Sequence, residues 1–162
     1  MVIVAGSGKV TVAMAYKIPV SVLVLIHTKD LRVLLLERAD KPGFWQSVTG
    51  SLEANESPHD AAIREVREET GLDAGCYELV DWQMHNVYEI YPHWRHRYPP
   101  GVTHNTEHLF GLELPAPLPV ILAPGEHVRY EWVDWREAAV RVFSWTNVVA
   151  LRVLGERHGL QL

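Results

Sequence analysis

Cysteine is almost absent from this 162-residue sequence: Cys76 stands alone. A single thiol excludes an internal disulfide, and no Cys/His group has the spacing of a zinc site. Cys76 itself is expected to be a small buried apolar residue. Apolar runs long enough to cross a bilayer are also missing, and residues 1–15, though small and apolar, lack the basic start and long apolar centre of a signal peptide. Basic residues are outnumbered 15 to 20, for a net charge of -5. That balance argues against a surface for nucleic acid or for an anionic membrane. No repeat, low-complexity tract or linker breaks the chain. With 48% hydrophobic and 22% charged residues, it has the composition of an ordinary globular domain large enough to bury its own core. The expected organisation is an extension over residues 1–15 followed by a single domain over 16–162, in a cytoplasmic setting. The GSGK run at residues 6–9 lacks the four-residue spacer of a phosphate loop and is read as non-functional.

What the sequence does have is a concentration of carboxylates between Gly50 and Leu72. Ser57 suits an N-cap, Pro58 the first helical position, Asp60 the capping-box position and Gly71 the C-terminal stop, so a helix is predicted between them. At about 100° per residue, Glu65, Glu68 and Glu69 share one face of that helix. Ala62, Ile63, Val66 and Thr70 share a neighbouring face that can pack on a sheet. Arg64 stands one turn from both Asp60 and Glu68 and can hold the carboxylate rotamers. Oxygen-only ligands gathered in this way suit a hard divalent cation, Mg2+ or alternatively Mn2+. A helix face of this composition can equally be merely solvated.

Around this helix, residues 19–27 and 32–38 read as a hairpin or neighbouring strand pair, and 45–50 as a short strand entering the acidic stretch. Residues 77–80 and 83–91 read as two strands, 106–114 and 130–133 as two more, and 135–142 and 145–157 as helices. Residues 93–104 form a loop rich in basic and aromatic residues, in which Arg95, His96 and Arg97 could meet phosphate or simply solvate the loop. Tyr88, Tyr91 and Trp94 could stack on a flat ring or pack in the core.

In register, the acidic stretch matches G-x5-E-x7-R-E-U-x-E-E-x-G-U, U being a bulky aliphatic residue, through Gly50, Glu56, Arg64, Glu65, Val66, Glu68, Glu69, Gly71 and Leu72. Chance would produce such a match on the order of once in a billion positions. The pattern is similar to the box of the Nudix hydrolases. That resemblance implies an α/β/α sandwich with a mixed sheet and metal-dependent cleavage of a diphosphate bond. Three further stretches, at residues 16–26, 44–53 and 93–108, with SWTN at 144–147, resemble one branch of the family, the bacterial diphosphatases of dihydroneopterin triphosphate in folate synthesis. The resemblance implies Glu65, Glu68, Glu69 and Glu126 as metal ligands, with Glu107 as fallback if the later loop turns away. It implies Glu56, Glu65, Glu68 and Glu69 as catalytic residues, although Glu56 could merely brace the loop. Lys17, Arg38, Thr49, Tyr88, Glu89, Ile90, Tyr91 and Ser144 are implied as substrate-binding. The same carboxylates would serve an enzyme clearing ordinary or oxidised nucleoside triphosphates. A sensor that binds without cleaving would be expected to lose box glutamates or to carry a second domain.

Overall fold

The computed structural model describes residues 3–4, 11–12 and 15–162; the GSGK run lies outside them. Two short strands, β1 (Ile3–Val4) and β2 (Thr11–Val12), pair antiparallel. The main body begins with β3 (Val20–Thr28) and β4 (Arg32–Arg38), continuous β-branched and aliphatic runs, as strands covered on both faces should be. The expected pairing between them is confined to their turn, where His27 faces Val33. Beyond that point they part company. β3 pairs antiparallel with β6 (Val48–Ser51) and parallel with β8 (His104–Leu114), whereas β4 pairs antiparallel with β5 (Trp45–Gln46) and β9 (His127–Asp134). β7 (Glu78–Glu89) completes the mixed seven-stranded sheet beside β8.

Alternation along these strands feeds two cores. Val22, Val24, Ile26, Leu34, Leu36, Phe110 and Leu112 pack on one face against Ala61, Ala62 and Val66 of α1 (Pro58–Thr70). Leu23, Leu25, Val33, Leu35 and Leu109 pack on the other against α2 (Trp135–Arg141) and α3 (Trp145–Arg157). The result is the α/β/α sandwich. No helix among the described residues is long and apolar enough to cross a membrane.

The predicted short strand at 45–50 is two strands. At Ser47 the chain leaves the β4 side of the split and joins β3, and Asn147 of α3 holds it there: Ser47 N donates to Asn147 Oδ1 at 2.8 Å and Asn147 Nδ2 donates to Ser47 Oγ at 2.9 Å. The two strands predicted over 77–91 are one, carrying an irregularity between Asp81 and His85 with Gln83 at φ 54°. Cys76 is exposed, because a 3₁₀ turn at Ala74–Cys76 places it beside Asp73 and outside the core.

Candidate active site

The helix that carries the acidic face is set as its sequence dictates. Ser57 Oγ accepts from Asp60 N at 3.1 Å, Pro58 opens the first turn, and Gly71 ends the helix at φ 73°, where a side chain would be strained. Buried Ala61, Ala62, Val66 and Thr70 fix it on the sheet. Glu65 and Glu69 therefore lie against the sheet and are themselves buried, while Glu68 points outward. Gly50 makes this possible. A Cβ there would stand 2.0 Å from Glu65 Cδ, so the Glu65 carboxylate occupies the space of the missing side chain.

Arg64 organises the rest of the face. Its guanidinium donates to both oxygens of Glu56 at 2.8 and 2.9 Å, to Glu65 Oε1 at 2.8 Å, to Glu68 Oε2 at 3.2 Å and to the Ser51 carbonyl at 3.0 Å. Glu56 also accepts from Glu53 N at 3.0 Å and does not line the cleft. Arg64 holds the Glu56 carboxyl below the usual range. Glu65 goes the other way: burial raises its pKa to about 7, against the opposing pull of Arg64. Burial, followed by the charges of Glu65 and Glu126, also raises Glu69 well above an ordinary carboxylate, although Thr49 N donates to it at 3.3 Å.

Glu126, from the loop before β9, comes to Glu69 as expected, and His127 comes with it; one ligand atom from each of the three lies within 4.8 Å of the others. His127 was not foreseen, since a lone histidine at a strand end carries no signal in sequence. It is buried, and that burial lowers its pKa to about 4, leaving a neutral imidazole whose Nδ1 has no partner among the described residues. Buried Glu69 and exposed Glu126, which repel each other beside a neutral imidazole, form a donor set that fits a divalent cation. Gln46, also unforeseen, links the cluster to Arg38 and Thr49: it accepts from Arg38 Nη1 at 3.2 Å and donates to Thr49 Oγ1 at 3.3 Å.

A cleft of about 1070 Å³ opens where β3 and β4 diverge. Lys17, Arg38, Thr49, Glu65, Glu68, Glu69, Tyr88, Glu89, Tyr91, Glu126 and Ser144 all line it, so most of the expected positions converge. Ile90 does not: it is buried, its side chain turned into the protein between outward Glu89 and Tyr91. Arg97 joins the lining, whereas Arg95 is paired with Glu89 and His96 stays outside. Trp94 gathers the cationic end, with the Arg38 and Arg97 guanidinium carbons 5.0 and 5.7 Å from its ring centre. Lys17 is lowered by burial of its ammonium and by neighbouring Arg97. Ser144 faces the cleft while capping α3, its Oγ accepting from Asn147 N at 3.2 Å.

Residues 17–151 match the model of the NUDIX domain. The chain is 48% identical, over 84% of its length and 91% of the relative's, to dihydroneopterin triphosphate diphosphatase of Escherichia coli (strain K12). It is 42% identical to the protein of the same name from Haemophilus influenzae, over 86% and 89% of the two chains. Among solved structures, that of the E. coli dihydroneopterin triphosphate pyrophosphohydrolase superposes with a TM-score of 0.80 at 47% identity, covering 86% of this chain and 97% of the other.

Proposed function

This chain belongs to the NUDIX family of hydrolases, and from that premise we propose that it is a Mg2+-dependent pyrophosphohydrolase converting 7,8-dihydroneopterin triphosphate to the monophosphate and pyrophosphate. The observation that carries the reading is that relatives of that name match over about nine-tenths of their own length, and every residue lining the cleft except Ala15 and Tyr16 falls within the NUDIX match over 17–151. The substrate is then a small molecule, and the setting is proposed to be cytoplasmic, where folate precursors are made.

Glu65, Glu69 and Glu126 would hold the cation, with His127 adjoining and Glu68 within reach. When bound, the cation lowers the pKa of a coordinated water and screens the phosphate charge. The chain supplies the rest. Lys17, Arg38 and Arg97 line the cleft as phosphate partners, Trp94 keeping two of them side by side. Gly50 and the Thr49 amide fix Glu65 and Glu69, so the attacking water and the triphosphate meet in one orientation. Water attacks phosphorus in line and the anhydride bond breaks. We assign the water's proton to Glu68, which is exposed and held on one oxygen by Arg64.

Product analysis in 18O-labelled water with Mg2+ tests the proposal. Pyrophosphate and dihydroneopterin monophosphate are expected, and the labelled product identifies the attacked phosphorus. Equal or better kcat/KM on dGTP, dATP or 8-oxo-dGTP would replace this reading with nucleotide clearance.

A further inference from the structure

Part of the cleft lies on the opposite face of the sheet from the carboxylate cluster. Glu107 of β8 stands there beside Ser21 of β3, on the face that packs against α3, with Thr146 at the start of that helix as a near neighbour. Only 4% of Glu107 is exposed, yet the residue lines the cleft and its Oε1 has no partner among the described residues. The loop carrying Glu126 does reach Glu69, so Glu107 is not called on as the fallback ligand.

A buried carboxylate is a costly group to leave half satisfied, and the remedy is a donor brought by whatever fills the cleft. Asn86, opposite Glu107 on β7, has an Nδ2 with no partner among the described residues, but it lies off the cleft and makes no bond to Glu107. Nearby, Asn105 Nδ2 donates to Ser21 Oγ at 2.7 Å and is not free for Glu107, while Asn105 Oδ1, an acceptor, has no partner among the described residues and cannot satisfy a carboxylate. Trp145, Phe143 and Tyr88 contribute flat aromatic surface to the same cleft. An acceptor-only group on such a wall suits the edge of a heterocycle that presents an amino N–H and a ring N–H side by side.

We propose that Glu107 is the specificity residue that reads the 2-amino and ring N–H edge of a 2-amino-4-oxo heterocycle. This deepens the proposed function and rests on it for the identity of the triphosphate. Burial raises the Glu107 pKa to about 7, as expected where only a hydroxyl offsets the loss of water. Two donors in the cleft would favour its ionised form. A heterocycle with an acceptor in place of the amino group would face the carboxylate with like charge, and adenine would do the same with its ring nitrogen.

The test is a fluorescence titration of the full-length protein with free pterin and with lumazine, which has an oxygen in place of the 2-amino group, in wild type and Glu107→Gln. Wild type is expected to prefer pterin about 10-fold or more, and the preference should fall to within about threefold in E107Q, with KM for the triphosphate raised far more than kcat is lowered. No preference in wild type, or a preference unchanged in folded E107Q, overturns the proposal. If E107Q does not fold, Glu107→Asp, which keeps the charge but withdraws it by one methylene, carries the same comparison, and a pterin preference unchanged in it overturns the proposal. If pterin binds selectively while dihydroneopterin triphosphate is not hydrolysed, the proposed reaction fails and the reading of Glu107 stands.

Discussion

Arg64 has more work than any other side chain in the cleft, since one guanidinium joins Glu56, Glu65, Glu68 and the Ser51 carbonyl. A lysine keeps the charge but offers one nitrogen where the fork offers three. Arg64→Lys is therefore expected to lower kcat about 10- to 100-fold, with a stability loss of about 1–3 kcal/mol as the carboxylates lose their bonds; stopped-assay kinetics and urea unfolding measure the two. Glu69→Gln separates chemistry from folding. The amide fills the same buried space without a charge, so unfolding should be no easier than in wild type while kcat falls at least 100-fold, because a neutral amide ligates a divalent cation poorly. Near-normal turnover in folded E69Q would remove Glu69 from the ligand set. These carboxylates were legible in the sequence because helix spacing alone determines which share a face. His127 and Gln46 were not, because their roles depend on β9 and β5 being brought to the same end of β4 by long-range pairing.

At the level of elements, the cleft exists because β3 and β4 diverge, and the divergence is held at one crossing. The sequence around Ser47 reads as a single strand; nothing local shows that Asn147, a hundred residues later, takes both its backbone N–H and its hydroxyl. Asn147→Ala leaves the Ser47 amide and hydroxyl buried without partners. A loss of about 1–3 kcal/mol is expected by urea unfolding, together with a raised KM, because Gln46 and Thr49 flank the crossing. A stability loss with unchanged KM would mean that the clamp does not position the cleft. The same reasoning explains β7. Its polar middle suggested two strands, but pairing along β8 carries it through the irregularity at Gln83. Gly50→Ala tests the other contact between elements: displacing Glu65 should reduce affinity for the cation about 10-fold or more, read by titrating activity with Mg2+, with a smaller change in unfolding.

For the molecule as a whole, a protein of net charge -5 that buries Glu65, Glu69 and Glu107 holds its stability hostage to pH and to its cation. Each of the three has a folded pKa above its unfolded value, so its contribution is full below about pH 4.5 and is lost as pH rises through the folded pKa, about 7 for Glu65 and Glu107. His127 has the opposite sign: its folded pKa of about 4 lies below its unfolded value near 6.5, so it gains stability for the fold as pH rises between them. The two effects oppose each other up to about pH 6.5. Above that only the carboxylate effect remains, at up to about 1.4 kcal/mol per pH unit for each group still protonated in the folded state. In EDTA, urea unfolding midpoints should therefore fall between pH 6.5 and 8. Saturating Mg2+ should remove most of the fall, because a cation on the folded state alone stabilises it and favours ionised Glu65 and Glu69. Glu107 lies on the other face of the sheet, so E69Q should flatten the curve in EDTA only in part and E107Q should flatten the portion that Mg2+ does not restore. A curve in EDTA that is level from pH 6.5 to 8 would show that these carboxylates are already ionised in the folded protein, and would remove electrostatic strain as the reason the cluster takes up a cation.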